Sequence, residues 1–246
     1  MHILTSPLRR FSRTIRASRS RYRIWLIEDL GLAYLPVPKA ASSSIRQCVY
    51  EHLGQTYHGP DWARLTNAKA ALKQRFRHSL TAAQIDKSRA ELHVFSFVRN
   101  PLARLYSCYR DKVVNAEQRR ETCTLAPFGI HFGIDFDTFI RRVAEIPDEQ
   151  ADQHFRSQHC FIIHRGQPLA DFIGHVESFA EDWSSLQERF NLPDIGRNRR
   201  LSGPPTALTT LPVSRSTAEV AVERYRQDIE LFGYQKEIEA MLEKMR

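Results

Sequence analysis

Two segments about sixty residues apart constrain the fold of this chain most strongly, because each combines a strand, a tight loop and the start of a helix. Residues 35–46 read LPVPKAASSSIR, and residues 93–109 read HVFSFVRNPLARLYSCY. In the second segment, an apolar run rich in β-branched and aromatic residues is typical of a buried parallel strand. Asn100 and Pro101 then supply a helix N-cap and a first helical residue.

Further segments repeat this alternation of strands and helices. We predict strands at 24–27, 33–37, 161–164 and 171–176, and helices at 136–143 and 178–190. The alternation predicts an α/β fold whose central, mainly parallel sheet is flanked by helices in a single P-loop-like domain. A length of 246 residues fits one such domain, which we assign to residues 23–246.

Residues 1–22 are predicted to form a basic, flexible extension. The formal net charge is +8, and residues 1–27 contain seven arginines and no acidic residue, which leaves +1 for the rest. Nucleic acid is therefore disfavoured as a partner, because a nucleic-acid-binding protein is expected to carry a basic face on its folded body, and here the charge lies in the extension. Two interpretations of the extension stay open: a solvated leader, or a tether to an anionic membrane or polyanion.

The sequence carries no apolar run long enough for a membrane span and no signal-peptide pattern. We expect a cytoplasmic protein, with peripheral contact at the inner face of the membrane if the extension is a tether. The four cysteines are scattered, which predicts reduced thiols. His159, Cys160 and His164 lie close in sequence but lack a fourth partner, so no metal site is predicted.

The first junction places a cation and hydroxyl groups at the start of a helix. Pro38 fixes the chain before Lys39, and three serines follow. Hydroxyls, backbone N–H groups and the helix dipole favour a dianionic phosphate there. The Walker pattern GxxxxGK[ST] is absent, and alone the segment also suits an ordinary strand-to-helix turn. The candidate phosphate-binding residues are Lys39, Ala41, Ser42, Ser43 and Ser44.

The second junction offers a different pair of groups. Arg99 ends the predicted strand, and Ser107 lies eight residues later, about two turns along the helix. An arginine fork and a serine hydroxyl can bind one phosphate between them. Arg104 and Arg110 are predicted to be solvated or ion-paired helix residues. Two anion sites suit one ligand that carries phosphates at both ends.

Together the two motifs resemble the signature motifs of carbohydrate-type sulfotransferases, which include heparan and chondroitin enzymes and the bacterial members of sulfotransferase family 2. Segments 154–158 (HFRSQ), 171–177 (DFIGHVE) and 225–234 (YRQDIELFGY) extend the likeness in order and spacing. The resemblance implies 3′-phosphoadenosine-5′-phosphosulfate (PAPS) as donor, without a metal. It assigns the 5′-phosphosulfate to the Lys39 segment and the 3′-phosphate to Arg99 with Ser107.

The reaction that the resemblance implies is in-line transfer of a sulfuryl group to a hydroxyl of a carbohydrate or glycolipid. Lys39 would then be catalytic, because its ammonium stabilises the oxygen that leaves. His78 is our candidate for the base, since related enzymes carry a base at about this position. His154 is the second candidate, and Glu177 is expected to act as a base or as an anchor for a cation.

Two alternatives belong to other functional classes. A P-loop-like kinase would need a Walker lysine and an acidic pair for Mg²⁺, neither of which is evident. A non-catalytic protein that binds a nucleotide or polyanion would keep Arg99 and Ser107 but would need neither Lys39 nor a base.

Overall fold

A computed structural model describes residues 21–58, 76–192 and 208–245. Residues 1–20 of the predicted extension lie outside the described residues, and its last two residues begin the first strand. The strands of the described part are β1 Arg21–Ile27, β2 Leu32–Tyr34, β3 Arg77–Thr81, β4 His93–Val98, β5 Ile163–His164, β6 Gln167–Pro168 and β7 Phe172–His175. Five of them form one sheet in the order β3-β1-β2-β4-β7, and β5 and β6 form a separate hairpin.

The sheet is mixed, with parallel pairing where the two junctions lie. Strand β4 pairs in parallel with β2 and with β7, while β1 pairs antiparallel with both β2 and β3. The carboxyl ends of β2 and β4 therefore lie side by side at one edge, with Tyr34 opposite Phe95. The α/β class and the single sheet flanked by helices are confirmed. Antiparallel pairing of β1 and β3 makes the sheet less uniformly parallel than the alternation predicts.

Helices follow several of the strands and begin at local sequence signals. Asn100 caps helix α3 (Pro101–Tyr109) by accepting the Leu102 N–H, and Thr81 forms a reciprocal capping box with Gln84 at the start of helix α2 (Ala82–Ser88). A π-helical turn over Arg110–Val114 continues α3. The helices are α1 Ser42–His58, α2 Ala82–Ser88, α3 Pro101–Tyr109, α4 Asn115–Gln118, α5 Phe136–Ala144, α6 His159–Ile162, α7 Phe179–Phe190, α8 Arg215–Arg224, α9 Arg226–Leu231 and α10 Gln235–Lys244.

The sheet separates two apolar cores, one on each face. The first core joins sheet residues such as Ile24 and Val98 to helices α3, α5 and α8 to α10. In the second core, the aromatic side chains of Phe95 and Phe97 pack against Ile45 of α1 and Trp183 of α7. The molecule thus has the helix–sheet–helix layering that a buried parallel strand requires.

One local prediction was wrong, and one strand was not predicted. Residues 161–164 are not a continuous strand, because α6 extends through Ile162 and β5 contains only two residues. The N–H groups of Gln158 and His159, at the start of α6, donate to the distant carboxylate of Asp228, and no local pattern reveals that cap. His78 lies in strand β3, in a segment without a predicted strand. Within the described chain, every helix is too short or too polar to cross a bilayer.

Candidate active site

The loop between β2 and α1, here called the Lys39 loop (residues 38–41), has an unusual backbone. Lys39 and Ala41 take left-handed conformations, with φ of 69° and 56°. Each costs a residue with a Cβ roughly 1–2 kcal/mol. Ala40 between them has no positive φ, an alternation that is typical of anion-binding loops, and its own N–H donates to the Val37 carbonyl at 3.3 Å. Strain of this kind clusters at functional sites, so the loop has a backbone suited to a phosphate.

An ion pair holds the ammonium of Lys39. Its Nζ donates to Oδ2 of Asp111 at 2.9 Å, and the two side chains are 15% and 37% exposed. Burial alone would raise the pKa of Asp111, but the hydrogen bond from Lys39 and the charges of Lys39 and Lys112 lower it below its ordinary 3.8. Asp111 is therefore ionised at neutral pH. Sequence reasoning missed this residue, because 72 positions separate the two partners.

The three serines lie at the first turn of α1. Ser42 is partly buried, Ser43 is exposed and Ser44 is buried. Arg46, one turn later, donates from Nε to the Ser42 carbonyl at 2.9 Å and from a terminal nitrogen to Ser43 Oγ at 3.4 Å. Arg46 adds a second cation beside the Lys39 loop. The sequence offered a signal for it, since residues four apart share a helix face.

The backbone at the second junction is fixed from a distant segment. The side chain of buried Gln158 accepts the Arg99 N–H at 2.9 Å and donates to the Arg99 carbonyl at 2.8 Å. The side chain of Arg99 is only partly buried. The backbone at the end of β4 is thus held by both groups of the Gln158 amide.

Glu177 anchors the same junction. One of its carboxylate oxygens accepts the Asn100 N–H at 2.8 Å, and the other accepts the hydroxyl of Tyr234 at 3.0 Å. Burial lowers the pKa of Arg99, and the neighbouring charge of Glu177 opposes that shift. Glu177 therefore supports the Asn100 backbone and the Tyr234 hydroxyl, and the expected choice between a base and an anchor for a cation stays a prediction.

The prediction that Arg104 is solvated or ion-paired was wrong. Among the described residues it has no ion-pair partner, and it is not exposed to solvent. Its side chain is 1% exposed, and its guanidinium donates to three backbone carbonyls. The distances are 2.9 Å to Pro38, 2.8 Å to Arg156 and 3.3 Å to Gln153. Arg104 therefore connects helix α3 to the Lys39 loop and to segment 153–156.

Ser107 lies one turn beyond Arg104 on α3 and is partly buried. Its neighbour Cys108 is fully buried, and this burial raises the pKa of the thiol to about 12. The charges of Lys39 and Asp152 both act on that thiol, which places them around the same part of α3. Helix α3 and the turn after it thus contact both junctions.

His78 lies on β3, opposite Ile24 of β1. Direct cross-strand partners project from the same face of a sheet. Ile24 packs in the first core together with Leu35, the residue that follows β2. The partly buried His78 therefore projects from the face that packs against α3, near the level at which β2 ends.

His154, the second candidate for the base, has a carboxylate partner. Its Nδ1 lies 2.6 Å from Oδ1 of Asp152, and its backbone N–H donates to the same oxygen. Burial alone would raise the pKa of Asp152, but the bonds from His154 lower it. A carboxylate at Nδ1 orients an imidazole so that Nε2 is available to accept a proton. The structure thus gives His154 a support that the sequence did not reveal.

Comparison with known proteins gives one match that spans the fold. The family model described as the sulfotransferase family matches residues 22–235, which include both junctions and every described strand except the first residue of β1. Neither the search of curated proteins nor the search of solved structures gave a match. Since the family model covers most of the sequence, this chain belongs to the sulfotransferase family.

Proposed function

We propose that the protein transfers a sulfuryl group from PAPS to a hydroxyl of a carbohydrate or glycolipid. The observation that carries the proposal is the pair of cationic junctions at the adjacent carboxyl ends of β2 and β4. Ligands of α/β proteins bind at this edge of the sheet. A donor with a phosphosulfate at one end and a 3′-phosphate at the other suits two such sites.

The side chains present fit this donor. The left-handed backbone of the Lys39 loop, the Lys39 ammonium and the serines at the start of α1 suit the 5′-phosphosulfate. Arg99 and Ser107 would bind the 3′-phosphate, and the fixed backbone at Arg99 would limit the entropy lost on binding. PAPS supplies an activated sulfuryl group to this site.

Lys39 and a histidine have the complementary roles in transfer. As the acceptor oxygen bonds to sulfur, the sulfur–oxygen bond to the 5′-phosphate breaks, and Lys39 stabilises the charge that develops on the departing oxygen. His78 accepts the acceptor's proton in our primary assignment, and His154 is the second candidate. Removal of Lys39 should reduce kcat about 10²- to 10³-fold, as for other donors to a developing oxyanion.

Donor specificity is the first test. By calorimetry, the wild type should bind 3′,5′-adenosine bisphosphate more tightly than ADP, and Arg99→Ala should lose that preference. Arg189→Ala is the matched control, because Arg189 is exposed on α7 in the opposite layer. Equal affinity for ADP would contradict the assigned 3′-phosphate site. Transfer of phosphate from MgATP by the wild type would favour the kinase alternative.

The base is tested by single-turnover transfer of labelled sulfate to glycans and glycolipids. We expect His78→Ala to bind the donor normally but to transfer slowly, while His154→Ala keeps most of the rate. The reverse ranking would assign the base to His154 and its Asp152 partner. Normal donor binding without transfer by the wild type to any hydroxyl would favour the non-catalytic alternative.

We also propose a cytoplasmic location, with the basic segment before β1 in contact with anionic lipid. Deletion of residues 2–20 leaves β1 intact, since this strand begins at Arg21. The deletion should abolish binding to vesicles that contain phosphatidylserine, and binding should fall with salt. Unchanged vesicle binding would contradict the tether.

A further inference from the structure

The four cysteines are free thiols in very different surroundings. Cys48 and Cys108 are buried, and burial raises the pKa of Cys108 to about 12. Cys123 is partly exposed, and its S–H donates to the Ile130 carbonyl at 3.2 Å. Cys160 is also partly exposed, and its Sγ lies 3.5 Å from Nε2 of His159. Cys160 is thus the accessible thiol with an imidazole beside it.

A buried carboxylate orients that imidazole. Asp228 is 0% exposed, and its Oδ1 lies 2.8 Å from Nδ1 of His159. The same carboxylate accepts the backbone N–H groups of Gln158 at 2.6 Å and His159 at 2.9 Å. Because an ionised carboxylate can only accept, Nδ1 carries a proton and Nε2 faces the sulfur. Cys160, His159 and Asp228 therefore form a thiol–imidazole–carboxylate series.

His159 is a cation at neutral pH. Burial alone lowers its pKa, but the hydrogen bonds with Asp228 and Cys160 outweigh burial and raise the pKa to about 10. An imidazolium beside a cysteine lowers the thiol pKa and makes the sulfur nucleophilic.

Other charged and titratable groups also face this sulfur. Arg224 lies close enough to Cys160 for their charges to interact, and a carboxylate oxygen of Asp148 lies within 4.8 Å of the sulfur. Asp148 binds Arg224 at 2.7 Å, so the charges of these two residues largely balance each other. From β1, Tyr22 is neutral at ordinary pH because burial raises its pKa, and its hydroxyl contacts Nδ1 of His164 at 3.3 Å. His159 is therefore the cation that lies directly beside the Cys160 sulfur.

We propose that Cys160 is a reactive thiolate site, paired with His159 and aligned by Asp228, that takes small soluble disulfides. In the reaction, the Cys160 sulfur attacks one sulfur of the disulfide. A new S–S bond forms, the original S–S bond breaks, and the departing thiolate takes a proton from water. No additional oxidant is required, because the disulfide itself accepts the electron pair.

The test measures the rate of modification of the intact protein by 4,4′-dithiodipyridine from pH 4 to pH 10, with each adduct located by peptide mass spectrometry. A thiol with an ordinary pKa of about 8.5 is only about 0.3% ionised at pH 6. We expect Cys160 to react at pH 6 at least thirtyfold faster than Cys123, which is the internal control. Glutathione disulfide should form a mixed disulfide at Cys160 first.

His159→Gln tests the origin of the reactivity, and Cys160→Ser should remove the fast phase. Gln keeps a donor for Asp228 but carries no charge, so modification of Cys160 at pH 6 should slow at least tenfold while the rate at pH 10 changes little. An equal rate for Cys160 and Cys123 in the wild type at pH 6 would overturn the proposal, even if His159→Gln failed to fold. An unchanged rate at pH 6 in folded His159→Gln would overturn it as well.

Discussion

Replacement of Arg104 by methionine tests how the two junctions are held together. Methionine has a similar length and fills apolar space, but it donates no hydrogen bond. The change leaves the carbonyls of Pro38, Arg156 and Gln153 without their donor in a region where Arg104 is 1% exposed. Hydrogen bonds to charged groups contribute about 1.5–3 kcal/mol each, and these three share one side chain. We expect a loss of about 3–5 kcal/mol in the free energy of unfolding.

Urea unfolding followed by tryptophan fluorescence measures this loss, because Trp25 and Trp183 lie in the second core. Arg110→Met is the control, since Arg110 is exposed two turns later and its replacement should change stability by less than about 0.5 kcal/mol. The stability loss in Arg104→Lys should lie between the losses in Arg104→Met and Arg110→Met, because one ammonium does not reproduce the planar guanidinium fork. A loss below about 1 kcal/mol in Arg104→Met, at an unchanged slope in urea, would refute the reasoning.

Three further predictions follow from local contacts. Asp111→Asn should tighten the binding of 3′,5′-adenosine bisphosphate about three- to tenfold, because the change releases Lys39 and removes a nearby negative charge. Calorimetry measures this affinity, and weaker binding would show instead that Asp111 positions the lysine. Folding lowers the pKa of Asp111, so the carboxylate should stabilise the folded protein above pH 4. This stabilisation should be lost as the pH falls through the lowered pKa. The free energies of unfolding of wild type and Asp111→Asn should therefore converge in acid. Gly174→Ala should lower the free energy of unfolding in urea by about 1–3 kcal/mol, because a Cβ at this position would lie 2.5 Å from the ring of Phe97. Unchanged stability would show that this ring can move.

The elements that carry the candidate site could be predicted because their signals are local. The apolar run of β4, the N-cap Asn100 and Pro101 lie within nine residues and fix a strand, a turn and a helix start. The Lys39 loop likewise follows a short strand and precedes a serine-rich helix start. These local signals, combined with the order of the family motifs, predicted the fold class and the junctions.

The remaining contacts join residues that are distant in sequence, so no short pattern contains them. Asp111 binds Lys39 from the turn after α3, and Gln158 binds Arg99 across 59 positions. Arg104 has the sequence pattern of an exposed helix residue, yet three carbonyls from two other segments make its burial favourable. Tertiary hydrogen bonds of this kind outweigh the polarity of the local sequence, and in Arg104 they make burial of a cation favourable.

Asp228 links the proposed donor site to the reactive thiol, and a single substitution tests both. Its carboxylate binds the N–H of Gln158, whose side chain fixes Arg99, and it also orients His159. Asp228→Asn keeps the size of the side chain but replaces one acceptor oxygen with a donor that faces other donors. We expect weaker binding of 3′,5′-adenosine bisphosphate together with loss of the fast reaction of Cys160 at pH 6.

Two variants separate these effects, because each removes one branch of the contact. Gln158→Met should weaken nucleotide binding and leave the pH profile of Cys160 unchanged, since the backbone N–H to Asp228 persists. His159→Gln should do the reverse, because Gln158 still holds Arg99. If folded Asp228→Asn altered only one of the two properties, the carboxylate would not be their common support. If Asp228→Asn altered both nucleotide binding and the reaction of Cys160, while Gln158→Met and His159→Gln each altered one of them, the buried carboxylate of Asp228 would be the support that both sites share.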